Sequence, residues 1–171
     1  SGAGGGTPSA EGFRYFDGFA SPTRAVFAGG DTAVSADTNI IQYVTIQTKG
    51  DAIQFGSLIT ERGSHTACSN STRGLIAGGQ TPSSNLNSIE YVTIASTGDG
   101  TDFGDLNNAI DYIGSCASAT RGVFAGGQTP TKLNTIEYVT IASTGNAIDF
   151  GDLTVARRFA QGCSDVHGGL G

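Results

Sequence analysis

The sequence predicts an all-β chain, and three observations point there. First, one passage is written three times: TRAVFAGG…NIIQYVTIQTKG…IQFGSL from Thr23, TRGLIAGG…NSIEYVTIASTG…DFGDL from Thr72, and TRGVFAGGQTPTKLNTIEYVTIASTGNAIDFGDL from Thr120 to Leu153. Self-similarity at this period marks a repeat architecture. Second, apolar residues alternate with Thr and Gly over short runs, the pattern of strands joined by tight turns. Third, no stretch combines helical periodicity with capping residues.

The spacing parses each copy into four strands. Thr23 to Gly30, Thr72 to Gly79 and Thr120 to Gly127 are equal intervals, and so are Tyr43 to Phe55, Tyr91 to Phe103 and Tyr138 to Phe150. Only the stretch from the Gly-Gly pair to the Tyr changes length. A packed repeat accepts insertions where its backbone faces solvent, so this loop is expected on an open face. In the third copy, strand a is Ile113 to Ala119 and strand b is TRGVFAG, ending at Gly126-Gly127. Strand c is TIEYVTIA, Ser143 to Asn146 make a hairpin turn, and strand d is AIDFGDL. Four antiparallel strands at this period describe a propeller blade. The expected divisions are a Gly-rich leader (1–12), three blades (about 13–58, 62–106 and 110–153) and a C-terminal strand (155–171).

Composition narrows the function classes. With 171 residues, 27 Gly, 14% charged residues and a net charge of −6, a phosphate backbone would be repelled on average. Nucleic-acid binding is not expected. No apolar run reaches the length of a membrane helix, so membrane insertion is not expected either. The N-terminal SGAGGGTPSAEG lacks the regions of a signal peptide, and its glycines follow no strand and open no helix.

The order of apolar strand, Gly-Gly, variable loop, Tyr-bearing strand, turn and aromatic strand resembles the kelch repeat of β-propellers. Phe55, Phe103 and Phe150 stand where that repeat usually has Trp, and Arg62 and Arg157 match its closing Arg. More narrowly, TRGVFAGG, IEYVTIASTGNAIDFGDL and the closing HGGLG look like repeats in structural proteins of marine phages, especially cyanophages. That resemblance covers about residues 13–171. It implies a non-enzymatic virion component of the tail, fibre or decoration layer, needing no cofactor or metal. Its implied partners are further copies of itself, other virion proteins and a host cell-surface glycan. The alternatives are a purely structural subunit without ligand, and a sialidase-type propeller enzyme.

Residues that invite chemistry have plainer readings. Cys68, Cys116 and Cys163 occupy one repeat position, taken by Phe19 in the first copy, so they read as core. Arg24, Arg73 and Arg121 recur beside the opening Thr, with Asp105 and Asp152 in strand d. They read as a contact tying blade to blade rather than a catalytic cluster. Glu90 and Glu137, with Gln42 in the first copy, read as solvated or paired. The turn Gly98 to Asp102 partly resembles a calcium-binding turn that its sister turns do not keep. His65 is unique to its copy and has no evident partner, His167 stands where Thr72 and Thr120 stand, and no catalytic constellation assembles.

Adhesion is expected to use the b–c loops through Asp31, Asp37, Asn39, Gln80, Asn85, Asn87, Gln128, Lys132 and Asn134. Three blades leave both end blades uncovered, so the chain is expected to self-associate, most simply as a two-fold pair closing a six-bladed ring. The two chain ends compete for the innermost strand of the first blade. The C-terminal segment matches the repeat better and is expected to be donated to a neighbour, releasing the N-terminal aromatics. The expected oligomer contacts are Phe13, Tyr15, Phe16, Phe19, Arg157, Arg158, Phe159, Cys163 and His167.

Overall fold

The computed structural model describes residues 16–33 and 36–162. Its strands form three four-stranded antiparallel sheets, one per repeat, and the described residues include no helix. The first sheet runs β1 (Asp17–Ala20), β2 (Arg24–Ala28), β5 (Ile40–Thr45), β6 (Ile53–Ser57); β3 (Asp31–Ala33) and β4 (Ala36–Asp37) form a hairpin in its b–c loop. The second is β7 (Thr66–Ser69), β8 (Arg73–Ala77), β9 (Ser88–Thr93), β10 (Thr101–Asp105). The third is β11 (Gly114–Ala117), β12 (Arg121–Ala125), β15 (Thr135–Thr140), β16 (Ile148–Asp152), with β13 (Gln128–Thr129) and β14 (Thr131–Lys132) in its b–c loop.

Repetition in sequence becomes repetition in register. The Tyr of strand c lies opposite the central residue of strand b each time, as Val26 with Tyr43, Leu75 with Tyr91 and Val123 with Tyr138. All three c–d pairs carry an irregularity at the same place, after Ile41, before Gly104 and after Ile136. Each strand b ends in two glycines with positive φ, +63° and +90° at Gly78 and Gly79, which turns the chain into the b–c loop. The loops then differ as the spacing requires: two contain short hairpins, while the second closes a tight turn in which Thr81 N–H donates to Ser84 O at 2.8 Å.

The second sheet is buried on both faces. Towards the first sheet, Ile76, Val92 and Ile94 pack with Val26, Ile41, Phe55 and Leu58. Towards the third, Leu75, Ile89, Phe103 and Leu106 pack with Phe124, Val139, Ile141 and Ala147. Inner strands β1, β7 and β11 lie beside one another. The outer faces of the first and third sheets have no such cover among the described residues. Phe55 and Phe103 are 3% and 2% exposed while Phe150 is 56% exposed, and Ile94 and Ile141 are buried while Ile46 is 52% exposed. Cys68 is a core residue as expected, but its counterpart Cys116 is exposed because it faces outward from the third sheet.

The competition between chain ends resolves against expectation. Asp17–Ala20 fills the innermost place of the first sheet, paired with β2 from Asp17–Ala28 to Ala20–Ala25. Phe19, expected at an oligomer contact, is buried with its ring over Gly74, where a β-carbon would run into it. That aromatic anchor is what the C-terminal segment lacks at the matching position. Residues 155–162 form no strand; they pass close to β11, with Ala160 against Gly114 and Gly162 against Ser115. Phe13, Tyr15, Cys163 and His167 lie outside the described residues.

These burial differences make a measurable contrast. Phe103→Ala should cost about 3–5 kcal/mol in urea unfolding, the usual loss for a buried aromatic. Phe150→Ala, at the same repeat position, should cost under about 1 kcal/mol at protein concentrations low enough to keep chains apart.

Candidate functional site

Side chains at repeat positions help tie the first sheet to the second and the second to the third. Arg24 lies 4.7 Å above the ring of Tyr43 and donates from Nη1 to Ile94 O of the second sheet at 2.8 Å. Arg73 does the same, 4.3 Å above Tyr91 and 2.8 Å from Ile141 O. Arg121 stacks on Tyr138 at 4.6 Å, and among the described residues no sheet follows to offer it a carbonyl. The arginines thus tie sheet to sheet, as expected, through aromatic faces and carbonyls rather than through Asp105 or Asp152.

The glutamates of strand c are buried and paired rather than solvated. Glu90 accepts from Ile59 N–H at 2.8 Å and forms a buried ion pair with Arg62. Glu137 accepts from Asn107 N–H at 3.0 Å. Arg62 also donates to Gly78 O and Ser88 O, at 3.1 Å each. Burial lowers the Arg62 pKa, and the neighbouring Glu90 charge opposes that shift. Gln42, the counterpart in the first sheet, is exposed.

Most of the b–c loop residues expected to bind a ligand are tied into the chain. Gln80 pairs through its backbone with Gly63, and Gln128 with Asp111, so each loop is stitched to the linker that precedes its own sheet. Asn85 donates to Gln128 O at 3.4 Å, and Arg158 donates to Gln128 Oε1 at 2.6 Å. Asn39, Asn87 and Asn134 accept through their carbonyls from Leu58, Leu106 and Leu153 N–H at 2.7, 2.8 and 2.6 Å, closing the end of each strand d. Asp31 and Asp37 lie against Gly63. Lys132, at the loop tip, is exposed. The suggestive turn at Gly98 to Asp102 also has a packing role: Asp99 Oδ1 accepts from Ser57 N–H of the preceding sheet at 2.9 Å.

A cleft of about 250 Å³ opens at one end of the inner strands, bordered by Asp17, Ser64, His65, Tyr112, Ser115 and Phe159. Small-molecule sites usually exceed this volume. Ser64, Tyr112 and Phe159 are repeat equivalents with φ of 55°, 52° and 58°, linked by Tyr112 N–H to Ser64 O and Phe159 N–H to Tyr112 O. Two of the hydroxyls in the cleft are engaged, since Thr66 and Ser115 meet at 2.7 Å and Ser115 donates to Ala67 O at 3.0 Å, whereas the buried Ser64 hydroxyl and both His65 ring nitrogens have no hydrogen-bond partner among the described residues. Asp17 accepts from Ala67 N–H at 2.9 Å, and its pKa is raised by burial. The repeat pattern does not point to Asp17, whose place is taken by Thr66 and Gly114 in the other copies. Burial, helped by the Arg62 charge, lowers the His65 pKa to about 3. The Cys68 thiol is pushed up to about 12 by burial. Among the described residues, no group of three or more His, Cys, Asp or Glu is placed to hold a metal ion.

No family model matches the chain, and no curated protein matches its sequence.

Two checks follow. Arg62→Met strands the Glu90 carboxylate in the core and should cost about 3–5 kcal/mol in urea unfolding, with much of that recovered when Glu90→Gln is added. His65 stays neutral in the folded chain, while the unfolded chain takes up a proton below the ordinary histidine range. Stability therefore falls as pH drops from 7 towards 5, by about 2 kcal/mol from this group. His65→Ile, which installs the residue found at position 113, should flatten that part of the stability-against-pH curve.

Proposed function

We propose that this chain is a non-enzymatic virion structural protein of kelch-like blades that self-assembles through its end sheets into a β-propeller, two copies closing a six-bladed ring. The observation that carries the assembly reading is the outer face of the third sheet. It presents at Phe150 and Cys116 the positions that are core at Phe103 and Cys68. Sheets with two apolar faces are stable when both are covered, and closure is how propellers cover them. The virion assignment rests on the resemblance of YVTIASTG and DFGDL to phage structural repeats.

Within that reading, a scaffold role is favoured over host adhesion. Gln80, Asn85 and Gln128 are engaged with linkers or with each other, and Asn39, Asn87 and Asn134 close strand ends. Adhesion is the second reading, supported by the exposed polar tips of the loops at Pro82–Ser84 and Pro130–Lys132. The cleft supports the non-enzymatic part, because the Thr66 and Ser115 hydroxyls are committed to neighbouring strands and its histidine is held neutral by burial.

Sedimentation of the native protein should give twice the mass of one chain, about 35 kDa from 17.3 kDa each. A monomer at every concentration would overturn the assembly reading. Binding of the purified assembly to a glycan array, lost on Asn85→Ala with Lys132→Ala, would decide for adhesion. Absence of binding would leave the scaffold role.

A further inference from the structure

We infer that the outer face of the third sheet docks on the outer face of the first sheet of a second copy of this chain, in the geometry that joins successive sheets within one copy. This rests on the self-assembly reading above and gives it a direction and a set of contacts.

The two internal junctions show what such a junction requires. At the first, Gly98 N–H donates to Phe55 O at 2.9 Å and Gly100 N–H to Ser57 O at 2.8 Å. At the second, Gly145 N–H donates to Phe103 O at 2.7 Å and Ala147 N–H to Asp105 O at 2.8 Å. The turn also returns a side-chain acceptor: Asp99 Oδ1 to Ser57 N–H at 2.9 Å, and Asn146 Oδ1 to Asp105 N–H at 3.1 Å. The contact is so close that a β-carbon on Gly56 or Gly104 would strike the backbone of Gly98 or Gly145.

Each group needed for a third junction is present at one end of the chain and uncovered. The third sheet offers Phe150 O, Asp152 N–H and Asp152 O along β16, and a β-carbon on Gly151 would meet open space. The first sheet offers Gly50 N–H, Ala52 N–H and the Asp51 carboxylate, all on exposed residues. Arg121 is already stacked on Tyr138 as its two counterparts are, poised to donate to Ile46 O as Arg24 does to Ile94 O. Phe150 and Ile46, 56% and 52% exposed, hold the places of residues buried at both internal junctions. A shallow groove bordered by Gly18, Phe19, Ala25 and Phe27 lies where Cys116 would enter. Within the chain, the bulky Phe19 meets Gly74, while the smaller Cys68 meets Gly122. Cys116 with Ala25 continues that exchange, since a small thiol leaves room for a methyl group.

One pair departs from the internal pattern. Ser57 faces Asp99 and Asp105 faces Asn146, whereas Asp152 would face Asp51, two carboxylates. Like charges at a junction weaken it. Asp51→Asn, which copies Asn146 opposite Asp105, should therefore tighten the association.

The experiment is sedimentation of the full chain, with circular dichroism to confirm that each variant is folded. Phe150→Ser and Ile46→Asp alter exposed side chains at opposite ends, so each should leave a folded monomer. Mixed one to one, they should form a heterodimer, because each contributes the end the other lacks. Asp51→Asn should lower the apparent dissociation constant several-fold. If the unaltered chain never associates, both the assembly reading and this interface fail. If it associates but either variant alone still pairs as tightly, or the mixture stays monomeric, the interface is wrong and the assembly reading stands by other contacts.

Discussion

Everything in this structure depends on packing one sheet face against the next. A four-stranded sheet of this sequence carries apolar residues on both faces, so it cannot present either one to water without cost. The second sheet solves this by lying between two others, with Leu75, Ile89 and Phe103 covered on one side and Ile76, Val92 and Ile94 on the other. Hydrophobic contact supplies most of the stabilisation and is not directional. The hydrogen bonds from the c–d turn to the preceding strand d supply the direction. They fix the height and rotation at which one sheet meets the next.

The same constraint explains why the polar groups are where they are. Strand c would place a glutamate in the junction, and the chain satisfies it with Arg62 in one case and with the Asn107 amide in the other. The repeated arginine is held by a Tyr face of its own sheet while it reaches a carbonyl of the next, so a single side chain spans the junction at two places. These groups look like a catalytic cluster when read as a list of residue types. In the fold they are fasteners, and the b–c loop amides are used in the same way.

Much of the fold was legible because the repeat acts as an internal control. Equal spacing of Thr, Gly-Gly, Tyr and Phe located strands b, c and d of all three sheets, and the one variable interval located the loops that differ. The buried role of Cys68 was readable from Phe19 at the same position. A residue whose chemistry differs from that of its repeat counterparts is not legible in this way. Asp17 and the neutral His65 border the cleft beside the inner strands, and nothing in the repeat pattern pointed to either.

The sequence by itself determined where strands b, c and d fall in each copy and which loop varies, because alternation and spacing are properties of a single strand or hairpin. Only the tertiary structure decided which chain end completes the first sheet, which partner each arginine takes, and which copy of a repeated residue is buried. Those outcomes depend on what lies across a sheet-to-sheet contact. Phe103 and Phe150 have the same sequence surroundings, and one is core and the other surface because one has a neighbouring sheet. Phe19 keeps the N-terminal strand in place because Gly74, 55 residues further on, leaves space for its ring.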